Sequence, residues 1–271
     1  MVTSRPSNIQ VHPTAIVHPN VQFGEGCSIG PHTIIEPNVS IGAGTSVASN
    51  ILIGEFTQIG AECKIHHGAV VGTIPPDLKF GGERSTLEIG DRTTIREFTT
   101  LNRGTNALGK TVIGHDVLLM AYVHIAHDCI IGNHVILSNA TQLGGHVEIE
   151  DYVVVGGLVA IHQFVKIGRH AMISGGAKVS KDICPFIKVA REPLKPVTLN
   201  TVGLKRRGFP DESLRVLKQM FRLLFRSHLN ITQAVEAIEE KVPPTEELHG
   251  LLQFIRESAA RSKTHGRGIL S

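Results

Sequence analysis

The chain has 271 residues, with 27 Lys or Arg against 24 Asp or Glu, so its formal net charge is only +3. This balance argues against a nucleic-acid-binding protein that relies on a strongly positive field. No apolar run approaches the roughly 18 residues typical of a membrane span, and residues 1–6 contain no apolar stretch typical of a secretory signal. The cysteines are far apart, which predicts neither a disulfide framework nor a zinc ribbon. A reduced, soluble, cytoplasmic protein is expected.

Aliphatic or similar residues recur every six positions through most of the chain up to Val179. No α-helix keeps one face apolar at that period, and a long flat strand alternates with a period of two. The period indicates short strands that each point one aliphatic side chain inward before a turn, so that three units make a triangular coil and stacked coils make a parallel β-helix. Gly after the aliphatic residue, as at Gly30 and Gly42, suits corners that are crowded or need a positive φ. The residues in register are Val11, Val17, Phe23, Ile29, Ile35, Ile41, Val47, Ile53, Ile59, Ile65 and Val71, then Ile89, Ile95 and Leu101, and then Ile113, Leu119, Ile125, Ile131, Leu137, Leu143, Ile149, Val155, Ile161, Ile167, Ile173 and Val179.

Two breaks in this register, at residues 72–87 and 105–111, predict loops pushed out of the prism. Insertions in a solenoid lie on its surface, often beside the functional face. Asp77 and Lys79 in the first loop are therefore candidate site residues, and a solvated connector is the alternative interpretation.

Helical spacing replaces the repeat in the last third of the chain. Pro185, Pro193 and Pro196 indicate a linker, and three apolar stripes follow it. We therefore predict a β-helix over residues 1–190 and a helical domain over residues 191–271, with a mobile basic tail from Arg261. The stripes contain Leu214, Leu217, Phe221 and Leu224, then Ala234, Val235 and Ile238, and then Leu248, Leu251, Leu252 and Ile255.

Several of the 15 histidines are predicted to line up along one edge of the prism. One coil of three units is about 18 residues, so Gly145 and His146 lie one coil beyond His127, and His162 with Gln163 lies two coils beyond it. Such clusters are more often functional than decorative, and His titrates nearest neutrality. Six other histidines of the coils are interpreted as ordinary surface residues: His12, His18, His32, His115, His134 and His170.

The residues beside this cluster suggest general-base chemistry. His124 lies near the adjoining corner, and one imidazole of the group can act as a general base. Asp128 can hold an imidazole in one tautomer, and the N–H groups of Gly144 and Gly145 can stabilise an oxyanion.

A basic cluster, Lys205-Arg206-Arg207, lies where the prism meets the helices. Arginine forks match phosphate oxygens, so the cluster can bind a phosphate or an acidic partner. A solubilising linker is the alternative. The flat faces of the prism also make a three-fold assembly plausible, with sites in the clefts between faces.

Seven segments together resemble the family of UDP-N-acetylglucosamine O-acyltransferases, which catalyse the first step of lipid A biosynthesis. The resemblance covers essentially the whole chain, in order. The histidine-rich fourth segment combined with the basic last segment is more specific than the repeats alone. The segments are Pro76–Lys79, Ile89–Glu97, Asn102–Thr105, His124–Cys129, Leu143–His146, Val159–Phe164 and Gly203–Phe209.

The resemblance implies a left-handed β-helix that forms a homotrimer without a metal or other cofactor. It would transfer an (R)-3-hydroxyacyl chain from the phosphopantetheine of acyl carrier protein to the glucosamine 3-hydroxyl. His127 would be the general base, Asp128 would orient it, and the Gly145 amide would stabilise the oxyanion. The resemblance assigns sugar-nucleotide or acyl-pantetheine contacts to His124, His146, His162 and Gln163, sugar and phosphate contacts to Asp77 and Lys79, nucleotide contacts to Asn200, Arg206 and Arg207, and acyl-chain length to Gly175.

The chain departs from the family pattern at two positions. Pro76 stands where the family often has Gln, and Val202 where a Glu is common. Val cannot accept a hydrogen bond, so the uridine contact must be weaker or made by another group. Neither change touches the proposed chemistry.

Three other functions are left open by the residues. One is another acyltransferase of the same scaffold, either N-acyl or acetyl-CoA dependent. A second is a β-helix carbonic anhydrase with zinc on His124, His127 and His146, although their spacing suits that class poorly. A third is a non-catalytic solenoid that binds through its flat faces.

Overall fold

The computed structural model describes residues 8–271, so residues 1–7 of the predicted first domain lie outside the described residues. The first strands are β1 (Gln10–Val11), β2 (Ile16–Val17), β3 (Gln22–Phe23), β4 (Ser28–Ile29), β5 (Ile34–Ile35), β6 (Ser40–Ile41), β7 (Ser46–Val47), β8 (Leu52–Ile53), β9 (Thr57–Ile59), β10 (Lys64–Ile65), β11 (Val70–Thr73), β12 (Thr86–Ile89), β13 (Thr94–Ile95) and β14 (Thr100–Asn102). They continue as β15 (Lys110–Ile113), β16 (Leu118–Leu119), β17 (His124–Ile125), β18 (Ile130–Ile131), β19 (Ile136–Leu137), β20 (Gln142–Leu143), β21 (Glu148–Ile149), β22 (Val154–Val155), β23 (Ala160–Ile161), β24 (Lys166–Ile167), β25 (Met172–Ile173), β26 (Lys178–Val179), β27 (Ile187–Ala190) and β28 (Lys195–Leu199). The helices are α1 (Thr201–Arg206), α2 (Asp211–Phe225), α3 (Ile231–Lys241) and α4 (Glu246–His265).

Successive strands from β1 to β26 belong in turn to three sheets, A, B and C, in which they pair parallel; β27 and β28 extend sheet A. Sheet A has the order β1-β4-β7-β10-β13-β16-β19-β22-β25-β27-β28, sheet B the order β2-β5-β8-β11-β14-β17-β20-β23-β26, and sheet C the order β24-β21-β18-β15-β12-β9-β6-β3. In a regular coil a residue pairs with the residue one coil further along, as Ile125 does with Leu143 and Leu143 with Ile161. The predicted left-handed parallel β-helix of hexapeptide repeats is confirmed, with a small helical part after it.

The repeated aliphatic residues fill the interior of the prism. They are buried from Phe23 onward, and each contributes about 2 kcal/mol of hydrophobic stabilisation. Val11 and Val17 are only half-buried, because among the described residues no complete coil covers them on their N-terminal side. Thr45 shows how polar groups are accommodated inside: its buried hydroxyl donates to the carbonyl oxygen of Gly60 in the next coil, at 2.8 Å.

Glycine and left-handed backbone occur at different corner positions. A Cβ on Gly30 would lie 2.6 Å from the carbonyl carbon of Ala48 in the next coil, so crowding excludes a side chain there. Gly30 does not have a left-handed φ, so of the two reasons expected for glycine after the aliphatic residue, crowding is the one that applies at this corner. The left-handed position comes later in the turn and is usually filled by other residues, for example Asp128 at φ 59° and His146 at φ 61°.

Aromatic rings stand on the outside of the prism and stack from coil to coil. One such ladder is His134, Tyr152, His170 and Phe186, with centroids 4.6, 4.9 and 5.7 Å apart. The interpretation of His170 as an ordinary surface residue is wrong, because stacked rings cover both its faces, Phe209 covers its edge, and only 8% of the residue is exposed. Burial, reinforced by two nearby arginines, lowers the pKa of His170 to about 4.

Both insertions leave the prism along the same edge. Residues 74–85 join β11 to β12, and residues 103–109 join β14 to β15. In each case a strand of sheet B leads to a strand of sheet C. We call the set of turns that make this passage the B–C corner; the A–B and C–A corners are defined in the same way.

The C-terminal part begins differently from the prediction. The predicted proline linker contains β28, which pairs antiparallel with β27, so regular helix begins only at Thr201 with the unpredicted α1. Helices α2, α3 and α4 contain the three predicted apolar stripes. One buried residue of each stripe is Leu217, Ile238 and Leu252, respectively. Within residues 8–271 no helix is long and apolar enough to cross a membrane.

The basic tail, predicted to be mobile, packs on the prism instead. Nη2 of Arg261 donates to the carbonyl oxygen of Phe164 at 2.8 Å, and the ring of His265 stacks on that of Phe164 at 4.4 Å between centroids. Beyond α4, the backbone N–H of Leu270 donates to the carbonyl oxygen of Asp182 at 2.9 Å. The C-terminus is therefore fixed against the B–C corner.

Candidate active site

The B–C corner gathers most of the predicted site residues on one edge of the prism. Its turns include residues 74–85, 103–109, 126–129, 144–147 and 162–165, which lie on successive coils. This order follows from the coil length: the residue one coil beyond Asp128 is His146, and both have the same left-handed backbone. The corner therefore collects the predicted histidines with the inserted loops.

His127 and Asp128 form a close pair at this corner. Nδ1 of His127 lies 2.8 Å from Oδ2 of Asp128, and the carboxylate accepts a hydrogen bond from the Nδ1–H group. The Asp128 side chain is fully buried, while the His127 side chain is 16% exposed. With Nδ1 carrying the proton, Nε2 is left as the basic atom, which is the tautomer that a general base needs.

The Asp128 carboxylate is held from the second insertion. The backbone N–H groups of Thr105 and Leu108 donate to Oδ1 at 3.0 and 3.2 Å, and the Thr105 hydroxyl donates to Oδ2 at 2.6 Å. Burial raises the pKa of Asp128, but the Thr105 and His127 hydrogen bonds together outweigh it, so the pKa lies below its usual value. Asp128 is therefore a buried carboxylate kept ionised by hydrogen bonds.

Gly145 lies directly against the imidazole of His127. A Cβ at this position would be 2.6 Å from Cε1 and 2.8 Å from Nε2 of that ring, so only glycine leaves the ring in place. Within the described part of the chain, the N–H of Gly145 donates to no acceptor. A free backbone donor beside the basic nitrogen is the arrangement that stabilises an oxyanion.

His146 completes the centre of the corner. Its Nε2 lies 3.8 Å from Oδ2 of Asp128, and its ring stacks on Phe164 at 4.6 Å between centroids. Burial lowers the pKa of His146, while the charges of Asp128 and Asp77 oppose that shift. The predicted alignment of His146 one coil beyond His127 is confirmed.

The other predicted histidines flank this centre. His124 points outward from sheet B, its Nδ1 lies 2.8 Å from Oγ1 of Thr100, and burial lowers its pKa. His162 and Gln163 are exposed at the same corner on the coil beyond His146. Together they widen the site along the prism axis.

The first insertion brings Asp77 and Lys79 toward the same corner. The carboxylate of Asp77 accepts the backbone N–H of Lys79 at 3.0 Å, which makes a tight turn with the Lys79 side chain exposed. Asp77 and His146 belong to turns of the same B–C corner, and the charge of Asp77 acts to raise the pKa of His146. Pro76, one of the two departures from the family pattern, is exposed beside this turn.

Four of the predicted site residues lie away from the B–C corner. The guanidinium of Arg207 lies 5.0 Å from the ring of Tyr152 at the C–A corner, with Arg206 exposed beside it. Asn200 is buried as the N-cap of α1, where it accepts the N–H of Gly203 and donates to the carbonyl oxygen of His170. The other departure, Val202, is 64% exposed on α1, and Gly175 is exposed at the A–B corner, facing Gly157 one coil before it.

Sequence reasoning missed Thr105. Its contact with Asp128 spans 23 residues and an insertion, so the regular coil count could not reveal it. A usable signal was the segment Asn102–Thr105, which stands at the start of the second insertion.

One group of three possible metal ligands occurs within residues 8–271: His127, Asp128 and His146, whose ligand atoms lie within 4.8 Å of one another. The zinc alternative requires His124 instead of Asp128, but His124 is bonded to Thr100. Both carboxylate oxygens of Asp128 already accept hydrogen bonds from protein donors. These contacts favour a hydrogen-bonded His127–Asp128 pair over a metal site. The absence of a metal stays a prediction.

Comparisons with known proteins agree over nearly the whole chain. The family described as Udp N-acetylglucosamine O-acyltransferase, domain 2, matches residues 182–270, and the bacterial transferase hexapeptide family (six repeats) matches residues 110–145. An acyl-[acyl-carrier-protein]–UDP-N-acetylglucosamine O-acyltransferase from Chlorobium phaeobacteroides is 55% identical over 261 residues, which cover 96% of this chain and 97% of the relative. The enzyme of the same name from Chlorobaculum parvum is 53% identical with the same two coverages. The crystal structure of a UDP-N-acetylglucosamine acyltransferase from Bacteroides fragilis has a TM-score of 0.92 at 41% identity, and the match covers 96% of this chain and 99% of that one.

Proposed function

Because this chain belongs to the family of acyl-[acyl-carrier-protein]–UDP-N-acetylglucosamine O-acyltransferases, we propose that His127 is the general base of its acyl transfer. The chain is an acyltransferase that moves an (R)-3-hydroxyacyl group from acyl carrier protein to the 3-hydroxyl of UDP-N-acetylglucosamine, the first step of lipid A biosynthesis. The observation that carries the proposal is the 2.8 Å pairing of His127 Nδ1 with the buried Asp128, which leaves Nε2 free beside Gly145.

The proposed step proceeds through a tetrahedral intermediate. Nε2 of His127 takes the proton of the sugar 3-hydroxyl as its oxygen attacks the thioester carbonyl carbon, and a C–O bond forms. The N–H of Gly145 stabilises the resulting oxyanion, and the charge of Asp128 stabilises the imidazolium. The C–S bond then breaks, and the departing sulfur of the phosphopantetheine takes the proton from His127. No metal or other cofactor enters this step.

The flanking residues are proposed to hold the two substrates. Asp77 and Lys79 would contact the sugar and its phosphates, since the first insertion leaves the prism at the same B–C corner as His146. His124, His146, His162 and Gln163 would contact the sugar nucleotide or the acyl-pantetheine along the same edge. The exposed fork of Arg206 and the half-buried fork of Arg207 suit the phosphates at the nucleotide end, where Asn200 would act from α1. The cytoplasmic location stays a prediction.

A homotrimer is proposed because one chain separates these groups. Gly175, which would set acyl-chain length, lies at the A–B corner, and Arg207 lies at the C–A corner, whereas His127 lies at the B–C corner. A substrate that meets all three groups must lie between copies. Sheet B also exposes Ile16 and Ile34 (67% and 42% exposed) at its N-terminal end, an apolar surface that a second copy would cover. Sedimentation equilibrium measures the oligomeric state, and a monomer with full activity would contradict this proposal.

The His127→Ala variant tests the general base. Turnover should fall at least about 100-fold, the usual contribution of a general base, while the circular dichroism spectrum and Tm stay unchanged. The assay is UDP-N-acetylglucosamine with a panel of hydroxyacyl carrier proteins, with product measured by mass spectrometry. His18→Ala, an exposed histidine of the first coil, is the matched control. Near-normal turnover in His127→Ala would reject the mechanism.

A further inference from the structure

We propose that Thr105 is a positioning residue for the acyl transfer, which acts through Asp128 on His127. The proposal rests on His127 being the general base. It extends the His127–Asp128 pair to three hydrogen-bonded groups: the Thr105 hydroxyl fixes the Asp128 carboxylate, and the carboxylate fixes the His127 imidazole.

The contacts around Asp128 carry this inference. The hydroxyl of Thr105 donates a hydrogen bond at 2.6 Å to Oδ2, the same oxygen that accepts a hydrogen bond from Nδ1–H of His127 at 2.8 Å. The other oxygen, Oδ1, accepts two backbone N–H groups, from Thr105 and Leu108. The carboxylate thus has four donors, and three of them come from the second insertion.

The backbone and the side chain of Asp128 are fixed separately. Its backbone has a left-handed φ of 59°, and its N–H donates to Oγ1 of Thr111 at 2.9 Å. That contact fixes the backbone of Asp128, from which the side chain extends, but it does not fix the rotation of the carboxylate. The rotation is set by Thr105, because its hydroxyl and N–H reach the two different oxygens. Without the hydroxyl, Oδ2 keeps its contact with His127 but loses the partner that aims it.

The insertion itself is built to hold Thr105 in place. A Cβ on Gly104 would lie 2.3 Å from the backbone nitrogen of Lys110, so the neck of the loop closes too tightly for a side chain. Within the loop the N–H of Gly109 donates to the carbonyl oxygen of Thr105 at 2.7 Å. Thr105 is therefore buried on a rigid support, as a group that positions catalytic residues requires.

Thr105→Val removes the hydroxyl and nearly keeps the volume. We expect kcat to fall about 10- to 100-fold, the range for loss of a hydrogen bond to a charged group, with KM for both substrates within about twofold. Thr105→Ser, which keeps the hydroxyl, should recover most of the lost turnover. Thr45→Val is the matched control, since it removes a buried hydroxyl from the same prism far from Asp128. If Thr105→Val fails to give a folded circular dichroism spectrum, Thr105→Ala replaces it under the same criteria.

A double-mutant cycle with Asp128→Asn decides whether Thr105 acts through Asp128. In the Asp128→Asn background, Thr105→Val should change kcat by less than about twofold, because the substitution at Asp128 has already removed the carboxylate through which Thr105 acts. An equal loss in both backgrounds, or wild-type kcat in Thr105→Val, would overturn the inference. His127→Ala is measured alongside: if that variant stays active the proposed function fails, whereas an inactive His127→Ala with an unimpaired Thr105→Val rejects only the role of Thr105.

Discussion

Replacing Gly145 by alanine tests how tightly the His127 ring must be placed. The added Cβ would lie 2.6 Å from Cε1 and 2.8 Å from Nε2 of His127. Carbon atoms in contact rest about 3.5–4.0 Å apart, so the ring must retreat by about 1 Å. Its other edge is bonded to Asp128 at 2.8 Å, and the retreat would distort that hydrogen bond.

The expected loss follows from this displacement. A catalytic group misplaced by about 1 Å costs about 100-fold in rate, equivalent to roughly 2.7 kcal/mol of transition-state stabilisation. Gly145 does not have a left-handed φ, and alanine keeps the backbone N–H, so neither backbone strain nor loss of the proposed oxyanion donor should contribute. We therefore expect kcat to fall about 100-fold with Tm nearly unchanged.

The measurement is kcat from product formation with saturating carrier protein and nucleotide sugar, together with Tm from thermal circular dichroism. Gly250→Ala in α4, where an added Cβ would have no neighbour within 4 Å, is the control for a harmless glycine replacement. All three nearest atoms to the added Cβ belong to His127, so Gly145→Ala should cost nothing further in a His127→Ala background. Wild-type kcat in Gly145→Ala, or the same loss in both backgrounds, would refute the reasoning.

Three further predictions concern other parts of the chain. His170→Phe should flatten the acid dependence of stability: the folded pKa of about 4 lies below the unfolded value of about 6.5, so the free energy of unfolding falls by about 3 kcal/mol as pH drops through that window in the parent protein. Urea unfolding at pH 7 and pH 4.5 measures this, with His134→Phe in the same ladder as control, and an unchanged pH dependence would contradict the assignment. Arg207→Ala should raise the KM for UDP-N-acetylglucosamine at least about tenfold with little change in kcat, as expected for a lost charged hydrogen bond; a change of oligomeric state in sedimentation would show a structural role instead. Gly175→Leu should shift the preferred donor to a shorter acyl chain in the carrier-protein panel, because the new side chain starts 3.0 Å from the carbonyl oxygen of Gly157 and extends outward; an unchanged preference would place the acyl groove elsewhere.

The fold could be predicted because one residue in six carries the information. Each aliphatic residue must point into a narrow interior, and counting the residues of one coil is enough to bring His146 and Gly145 beside His127. The count works because, in the regular coils, each residue pairs with the residue one coil further along, as Ile125 does with Leu143 and Leu143 with Ile161.

The rest depends on contacts outside that register. Thr105 meets Asp128 across an insertion, and no coil count spans a loop of irregular length. His170 is covered by Phe209 from the segment after the prism, so its burial depends on how that segment folds back. The resemblance alone assigns Asn200 to the nucleotide. Its role as the N-cap of α1 could not be predicted, because the sequence pattern did not predict that helix.

The stacking of His265 on Phe164 has a practical consequence for handling the protein. Because Phe164 stacks on His146, the last turn of α4 reaches the B–C corner through two ring contacts. A purification tag fused after Ser271 would extend the segment that is held beside Asp182 by the hydrogen bond from the backbone N–H of Leu270. Tags and surface tethers are better attached on the N-terminal side, because β1 (Gln10–Val11) lies several coils away from His127.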